Sequence, residues 1–384
     1  MIKIEITKDV TDAVKEHWQW VRKRFHLDEE YSLLTDRDQK SAWTRARNNL
    51  KELYRLLDFN SLNPKENEQK LHDLICVPPD KLRELRDDKI FKSLVKIETP
   101  EYQAYQDWKR KRKRSKRIPR QYQKEYNAEK NRKRVYSLLG YDDLSSKDGD
   151  WNAYKICDKI KLSVCPYCNR QYVFTIFDNN RNGEVRPQLD HFYVKSKYPF
   201  LSCSFYNLIP SCPTCNLGKN DNGDDTIYPY IHEFGENVVF KFDSNDIRDL
   251  NNGIIDLKKN YKISKEFEFS DEDKRSGKIK KYGNLEIKKF KKFVQNSDVT
   301  FHIIDLYNEH QLEIKDLIKR KKDYAGANAG IFSNALYKKD LKDLNENERK
   351  NLQRFLYGLP VVFDNVEYPL RKLKEDLVDQ IENG

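Results

Sequence analysis

Two short cysteine pairs, Cys165-Pro-Tyr-Cys168 and Cys212-Pro-Thr-Cys215, are the residues of this chain most plainly arranged for chemistry, and 43 residues separate them. A C-x2-C turn points two sulfurs at one centre, so two such turns brought together close a tetrahedron around Zn²⁺. Four thiolates leave no open coordination position, and the spacing therefore predicts a structural zinc that holds a small module together without taking part in turnover. The chain between and after the pairs is polar in a patterned way. It reads Leu189-Asp190-His191-Phe192, then Lys195-Ser196-Lys197, then Asn207-Leu208-Ile209-Pro210, with Asn216 directly after the last cysteine and Lys219 three residues on. Taken singly these residues are ordinary, since a histidine beside an aspartate is most often a satisfied polar residue and an asparagine before a turn is a turn former.

Taken together, Cys165 to Lys219 resembles the HNH endonuclease family of the zinc-knuckle ββα-metal type. That family's signature is a DH dipeptide at the end of a strand, a central asparagine in the returning loop, and C-x2-C-N-x2-K entering a helix. The resemblance implies a metal-dependent endonuclease that hydrolyses phosphodiester bonds of nucleic acid, DNA foremost with RNA an alternative. It gives His191 as general base, Asp190 and Asn216 as ligands of Mg²⁺ or Mn²⁺, and Asn207 as the residue that orients the loop carrying His191. The third position of the signature is often histidine, so Asn216 makes this the asparagine variant, with His232, Asp221 and Asp225 as the other candidates for that place. Further out, Tyr228-Pro229-Tyr230, Leu306-Tyr307-Asn308 and the segment from Pro369 to Ile381 look like bacterial HNH proteins that accompany SMC-like or ABC-type ATPases in anti-phage systems such as Septu. This wider likeness implies antiviral defence with an ATPase partner that keeps the nuclease in check.

The residue types suit that chemistry. Phosphodiester hydrolysis needs a base to deprotonate water and a cation to neutralise charge on the phosphoryl and leaving oxygens. An imidazole held in one tautomer serves as the base near neutral pH. Adjacent residues of an extended strand point to opposite faces, so one of Asp190 and His191 can hold the cation while the other faces the water. Carboxylate and amide oxygens are hard donors, which fits Mg²⁺ or Mn²⁺. Lys195, Lys197 and Lys219 are expected phosphate contacts, set against the plainer reading of solvated loop lysines.

The rest of the chain must position these groups. Its 384 residues carry 73 Lys+Arg against 62 Asp+Glu, a net charge of +11, yet residues 109–134 alone hold 14 of the cations and only two glutamates. The remainder is close to neutral, so the charge is a concentrated footprint for a polyanion, with nucleic acid the expected partner. Lys109, Arg110, Lys111, Arg112, Lys113, Arg114, Lys116 and Arg117 are its core, with Tyr102, Tyr105, Trp108, Tyr122 and Tyr126 nearby to stack on bases or to pack on the domain below. Pro119 should end or kink any helix begun near Tyr102.

The expected fold is α+β, with mainly helical flanking domains around the small zinc-stabilised ββα-metal module. The N-terminal domain, 1–150, reads as a short strand (Ile2, Ile4, Ile6) and then helices whose apolar faces run Val14, Trp18, Val21, Phe25 and Trp43, Ala46, Leu50, Leu53, Leu57. The module, 151–235, holds six of the thirteen prolines and six of the seven cysteines, with β-like runs at 172–177 and 184–189 joined by a turn. The C-terminal domain, 236–384, reads as a strand at 238–242, a charged loop at 266–282, a helix at 300–323 with Ile304, Leu306, Leu312, Leu317 and Ile318 available for burial, and a last helix with Leu370, Leu373, Leu377 and Ile381 on one face.

Several classes are excluded by the same reading. No run of about 18 apolar residues exists to cross a membrane, the first residues show no signal-peptide core, and the expected location is cytoplasmic. Paired cysteines within an odd total fit a metal site in a reducing compartment, with Cys76, Cys157 and Cys203 as plain buried residues. No G-x4-G-K-[ST] loop occurs, so any NTPase activity belongs to a partner. The alternative to an enzyme is a zinc-knuckle module that binds nucleic acid without turnover, or a scaffold subunit whose basic run is a solvated face.

Overall fold

The computed structural model describes residues 1–111, 117–146, 149–176, 185–219, 223–324, 327–360 and 367–383. Among them the architecture is mixed α+β, mostly helical, with three two-stranded antiparallel sheets. The chain divides into two compact units, one of Lys3–Tyr167 with Val173–Glu233, the other of Met1–Ile2, Cys168–Tyr172 and Phe234–Gly384. Nearly all of 1–150 and 151–235, expected as two domains, thus pack as a single unit, because the apolar sides of the N-terminal helices close on the loop of the central hairpin.

The first unit runs through α1 (Lys8–Arg24), α2 (Arg37–Leu56), α3 (Pro64–Ile75), α4 (Leu82–Arg86), α5 (Pro100–Lys111), α6 (Gln123–Leu139), α7 (Tyr141–Ser145) and α8 (Ala153–Ile160) before β1 (Gln188–His191), β2 (Leu208–Ser211) and α9 (Pro213–Lys219). Helix ends follow the local chemistry. Thr7 caps α1 by accepting from the Val10 N–H at 3.3 Å, with Arg22, Lys23 and Arg24 against the helix dipole in the last turn. The buried face of α1 is Val10, Ala13, His17 and Val21, which places a histidine where Trp18, only half-buried, was expected. Residues 2–6 form no strand; the Ile4 N–H instead donates to the Pro229 carbonyl at 2.8 Å. Gly140 ends α6 at φ +83°, a conformation that needs glycine, so the expected linker after it begins as the short helix α7. The core includes Phe91 stacked on Phe200 at 4.4 Å, joining the helical part to the loop between β1 and β2.

The second unit contains β3 (Val238–Phe242), α10 (Ser244–Asn251), β4 (Ile263–Phe267), α11 (Asp271–Ser276), β5 (Lys278–Ile279), β6 (Leu285–Glu286), α12 (Ile287–Phe301), α13 (Ile303–Asn308), α14 (Gln311–Tyr324), α15 (Ala327–Tyr337), α16 (Glu346–Leu356) and α17 (Arg371–Asn383). The expected charged loop at 266–282 is ordered by local charge. Ser270 caps α11, whose first turn is acidic and last turn basic. The expected single helix at 300–323 is broken by His302 at φ +50° and again after Asn308, whose side chain bonds both the N–H and the carbonyl of Ile263. The break rotates the buried face to Ile303, Tyr307, Ile314, Leu317 and Ile318 and leaves Leu312 83% exposed. Of the expected stripe, Leu373, Leu377 and Ile381 are buried on α17, whereas Leu370, also buried, lies just ahead of the helix at φ +61° and not on its face.

Candidate functional site

The site grows from one hairpin and the helix that follows it. β1 pairs with β2 antiparallel, with Asp190 opposite Ile209 and His191 opposite Leu208, and Pro213 opens α9 two residues after β2 ends. Gln188 and Asp190 share one face of β1, and Asn216 and Lys219, three apart, share one face of α9. Those two faces meet. The Asn216 amide donates to Gln188 Oε1 at 2.7 Å, and Lys219 Nζ donates to Asp190 Oδ2 at 2.7 Å and to the His191 carbonyl. Tyr167, inside the first cysteine knuckle, donates its hydroxyl to the same Oδ2 at 2.6 Å. Both hydrogen bonds that Asp190 accepts from described side chains thus fall on one oxygen.

Lys219 is 1% exposed, so the expected phosphate contact is instead a buried counter-charge. Its stem is roofed by Gly223, where a Cβ would meet Lys219 Cε at 2.5 Å. A buried lysine of this kind is tolerable only with its carboxylate in place.

His191 faces the other way. Its ring, 6% exposed like Asp190, sets Nε2 3.0 Å from the Ser202 carbonyl and meets the Tyr141 ring edge-on at 4.3 Å. A carbonyl only accepts, so Nε2 carries the proton and Nδ1 keeps the lone pair. Burial, reinforced by the positive charges of Lys195 and Lys219 and only partly opposed by the Ser202 bond, pushes the imidazole down to about 3, so it is neutral at neutral pH. Asn207 clamps the loop that supplies Ser202. Its Oδ1 accepts from the Tyr193 N–H at 2.7 Å, and its Nδ2 donates to the carbonyls of Tyr193 at 3.0 Å and Leu201 at 2.9 Å.

Two groups from the N-terminal helices, His17 and the Leu74 carbonyl, hold the same loop, and sequence reading missed them. His17 Nε2 donates to the Cys203 carbonyl at 2.8 Å while Nδ1 accepts from Trp151 Nε1 at 2.9 Å, and Ser204 Oγ donates to the Leu74 carbonyl at 2.7 Å. Two buried imidazoles therefore take consecutive carbonyls, 202 and 203. The only sequence signal was a histidine at helical spacing between Ala13 and Val21, which by itself reads as a core residue.

Cys165, Cys168, Cys212 and Cys215 come together, all buried, with their sulfurs within 4.8 Å of one another. A tetrahedral zinc with bonds of about 2.3 Å needs sulfurs roughly 3.8 Å apart, so the cluster is close enough to hold a metal such as zinc. The Cys212 N–H donates to Cys165 Sγ at 3.4 Å, the kind of bond that favours a thiolate. Cys157 and Cys203 are buried and Cys76 partly so, and burial pushes all three thiols up to about 12, consistent with inert packing residues.

The remaining expected contacts separate. Lys195 is exposed, with Nζ 3.0 Å from Tyr136 Oη and above the Tyr141 ring, whereas Lys197 is committed to Asp224. Lys109 pairs with Glu129 at 2.6 Å and Arg110 with Asp107, while Lys111 and Arg117 are exposed. Arg112, Lys113, Arg114 and Lys116 lie outside the described residues, as do Asp221 and the turn read between the runs at 172–177 and 184–189. Asp225 lies 3.9 Å from Arg83, and the His232 N–H donates to the Tyr228 carbonyl. No helix is long and apolar enough to cross a membrane among the described residues. Comparison with protein-family models, with curated proteins and with solved structures found no match for this chain.

Proposed function

We propose that the chain is a metal-dependent endonuclease of the HNH type, hydrolysing phosphodiester bonds with His191 as general base. The observation that carries this reading is the pairing of an imidazole fixed by the Ser202 carbonyl on one side of β1 with oxygen donors gathered on the other. His191 Nδ1 takes the proton of the attacking water, while Nε2–H stays on the Ser202 carbonyl and keeps the ring from turning. The donor set fits a hard divalent cation. Asp190 accepts its bonds on Oδ2 and keeps Oδ1, and the Asn216 amide, donating through Nδ2, presents Oδ1. Mg²⁺ or Mn²⁺ held by Asp190 and Asn216 would supply charge neutralisation at the scissile phosphate and the leaving oxygen. Zinc at the four cysteines fixes the knuckle, and with it Tyr167 against Asp190.

The test is cleavage of plasmid, single-stranded DNA and RNA by zinc-loaded protein with Mg²⁺ added or omitted, omission being preferable to a chelator that would also strip the cysteines. His191→Ala should lower the rate by about 10²–10⁴-fold with binding retained. Equal cleavage by wild type and variant refutes the assignment. A second reading, a nucleic-acid-binding or scaffold subunit without turnover, is favoured by the Lys219–Asp190 pair, which already neutralises the carboxylate. It predicts binding and no metal-dependent cleavage by either protein. The nuclease reading also places the chain with a regulatory ATPase in defence, which co-purification of the two proteins would support.

A further inference from the structure

Beside the hairpin loop lies a cavity of about 360 Å³ lined by Lys96, Tyr102, Arg132, Lys133, Tyr136 and Lys195. Its position follows from α6, where Arg132 and Tyr136 are one turn apart on the face that meets α5 and the loop after β1. Arg132 is the unusual member. It is 7% exposed, its guanidinium stands 5.7 Å over the Tyr102 ring, and its Nη2 is buried with no hydrogen-bond partner among the described residues. A buried guanidinium without a carboxylate destabilises the fold, and a bound anion would complete it. Glu129, the one carboxylate in the lining, is no rival for that anion. It accepts from Lys109 and Lys133 at 2.6 Å each and from Tyr105 at 2.7 Å, and these bonds outweigh burial to hold it down to about 2.

Cations beside aromatic faces suit a ligand with both a phosphate and a flat ring, and the volume lies at the small end of ligand sites, the scale of one nucleotide. The cavity also adjoins the proposed base. Lys195 Nζ lies 4.8 Å over the Tyr141 ring, and that ring meets His191 at 4.3 Å.

We propose that this cavity is a nucleoside-phosphate site that seats one nucleotide of the nucleic-acid strand next to His191, its phosphate on Arg132 and Lys195 and its base against Tyr102 and Tyr136. The proposal rests on the nuclease reading for the identity of the strand. It also gives part of the basic run a folded role, since Arg132 and Lys133 belong to it.

The experiment uses full-length, zinc-loaded protein without Mg²⁺ and measures affinity for a labelled single-stranded oligonucleotide and for adenosine 5′-monophosphate. Arg132→Met and Lys195→Gln should each weaken oligonucleotide binding by about tenfold or more, the worth of a charge-assisted hydrogen bond. Lys65→Gln, which removes an exposed lysine on α3, should change it by less than about twofold. Arg132→Met should melt no lower than wild type, because it deletes an unpaired buried charge, and Lys195→Gln keeps the test alive if it does not fold. Competition between the monophosphate and the oligonucleotide supports a site that takes either source; weakening in both variants without competition supports the strand alone. Unchanged oligonucleotide affinity in either folded variant, or a loss equal to that of Lys65→Gln, overturns the proposal. Cleavage by wild type against His191→Ala is scored separately, so the site and the nuclease can fail independently.

Discussion

Lowering the pH should weaken this fold through one histidine outside the proposed chemistry. His17 is fully buried on α1, and both ring nitrogens are satisfied only in the neutral form, Nε2–H on the Cys203 carbonyl and Nδ1 accepting from Trp151. A second proton would break the Trp151 bond and place an unpaired cation in the interior, so burial lowers the imidazole from its ordinary 6.5 to about 4. The unfolded chain then protonates first. Stability contributed by the neutral ring is complete above the unfolded pKa and is lost as pH falls toward the folded one. Linkage gives a loss of about 2 kcal/mol between about pH 7 and about pH 5 from this residue alone. The comparison is with His17→Gln, whose amide can donate to the Cys203 carbonyl and accept from Trp151 without titrating. Urea unfolding of both zinc-loaded proteins at the two pH values isolates the difference, since His191, the thiols and the carboxylates titrate in each. The wild-type curve should fall below that of the variant by the stated amount. Parallel curves would refute the assignment of a neutral, doubly bonded His17.

The remaining predictions concern the other face of β1. Lys219→Met should destabilise the protein by about 3–5 kcal/mol, measured by denaturant unfolding, because it strands the Asp190 carboxylate in the interior; adding Asp190→Asn should recover part of that loss, and full additivity would contradict a direct pair. Zinc removal, or Cys212→Ser, should open the hairpin module to proteolysis and abolish a metal content of one zinc per chain; an unchanged digestion pattern in metal-free protein would contradict the structural role.

What was legible in the sequence was the part with strict local spacing. The two knuckles converge because C-x2-C turns and a short hairpin leave few other arrangements, and the Asn207 clamp follows from an amide placed just before the returning strand. The stripe Leu373, Leu377, Ile381 was equally readable, since an amphipathic period needs no partner to be recognised, whereas the left-handed turn at Leu370 just before it was not. Residues acting over long sequence separations were not legible. Lys219 sits where a phosphate-binding lysine would be expected, and only the packing of α9 on β1 turns it inward. Tyr167 reads as filler between two cysteines until the folded knuckle aims its hydroxyl at Asp190. His302 breaks a helix that its apolar periodicity supports, because Asn308 gains two backbone bonds to β4 that a continuous helix would not offer. That Lys3–Tyr167 and Val173–Glu233 form one unit was hidden too, as composition marks where a chain changes character and not which surfaces close on each other.

The two faces of β1 are fixed by different means, and the difference bears on how the site works. On the Asp190 side the constraint is charge, with an ammonium, a phenol and an amide gathered at one strand edge beside the cysteine cluster. Removing the Lys219 ammonium leaves an uncompensated carboxylate, so that side tolerates little change there without another cation in place. On the His191 side the constraint is the carbonyl run 201–203, bonded in turn by Asn207, His191 and His17, with Leu74 taking the hydroxyl of Ser204. Each bond there is individually modest, but together they leave the loop one position, and the position of the loop sets the tautomer of His191. The orientation of the His191 ring is thereby set by backbone carbonyls, while Lys219, bonded to both Asp190 and the His191 carbonyl, is the one group that links the two faces among the described contacts.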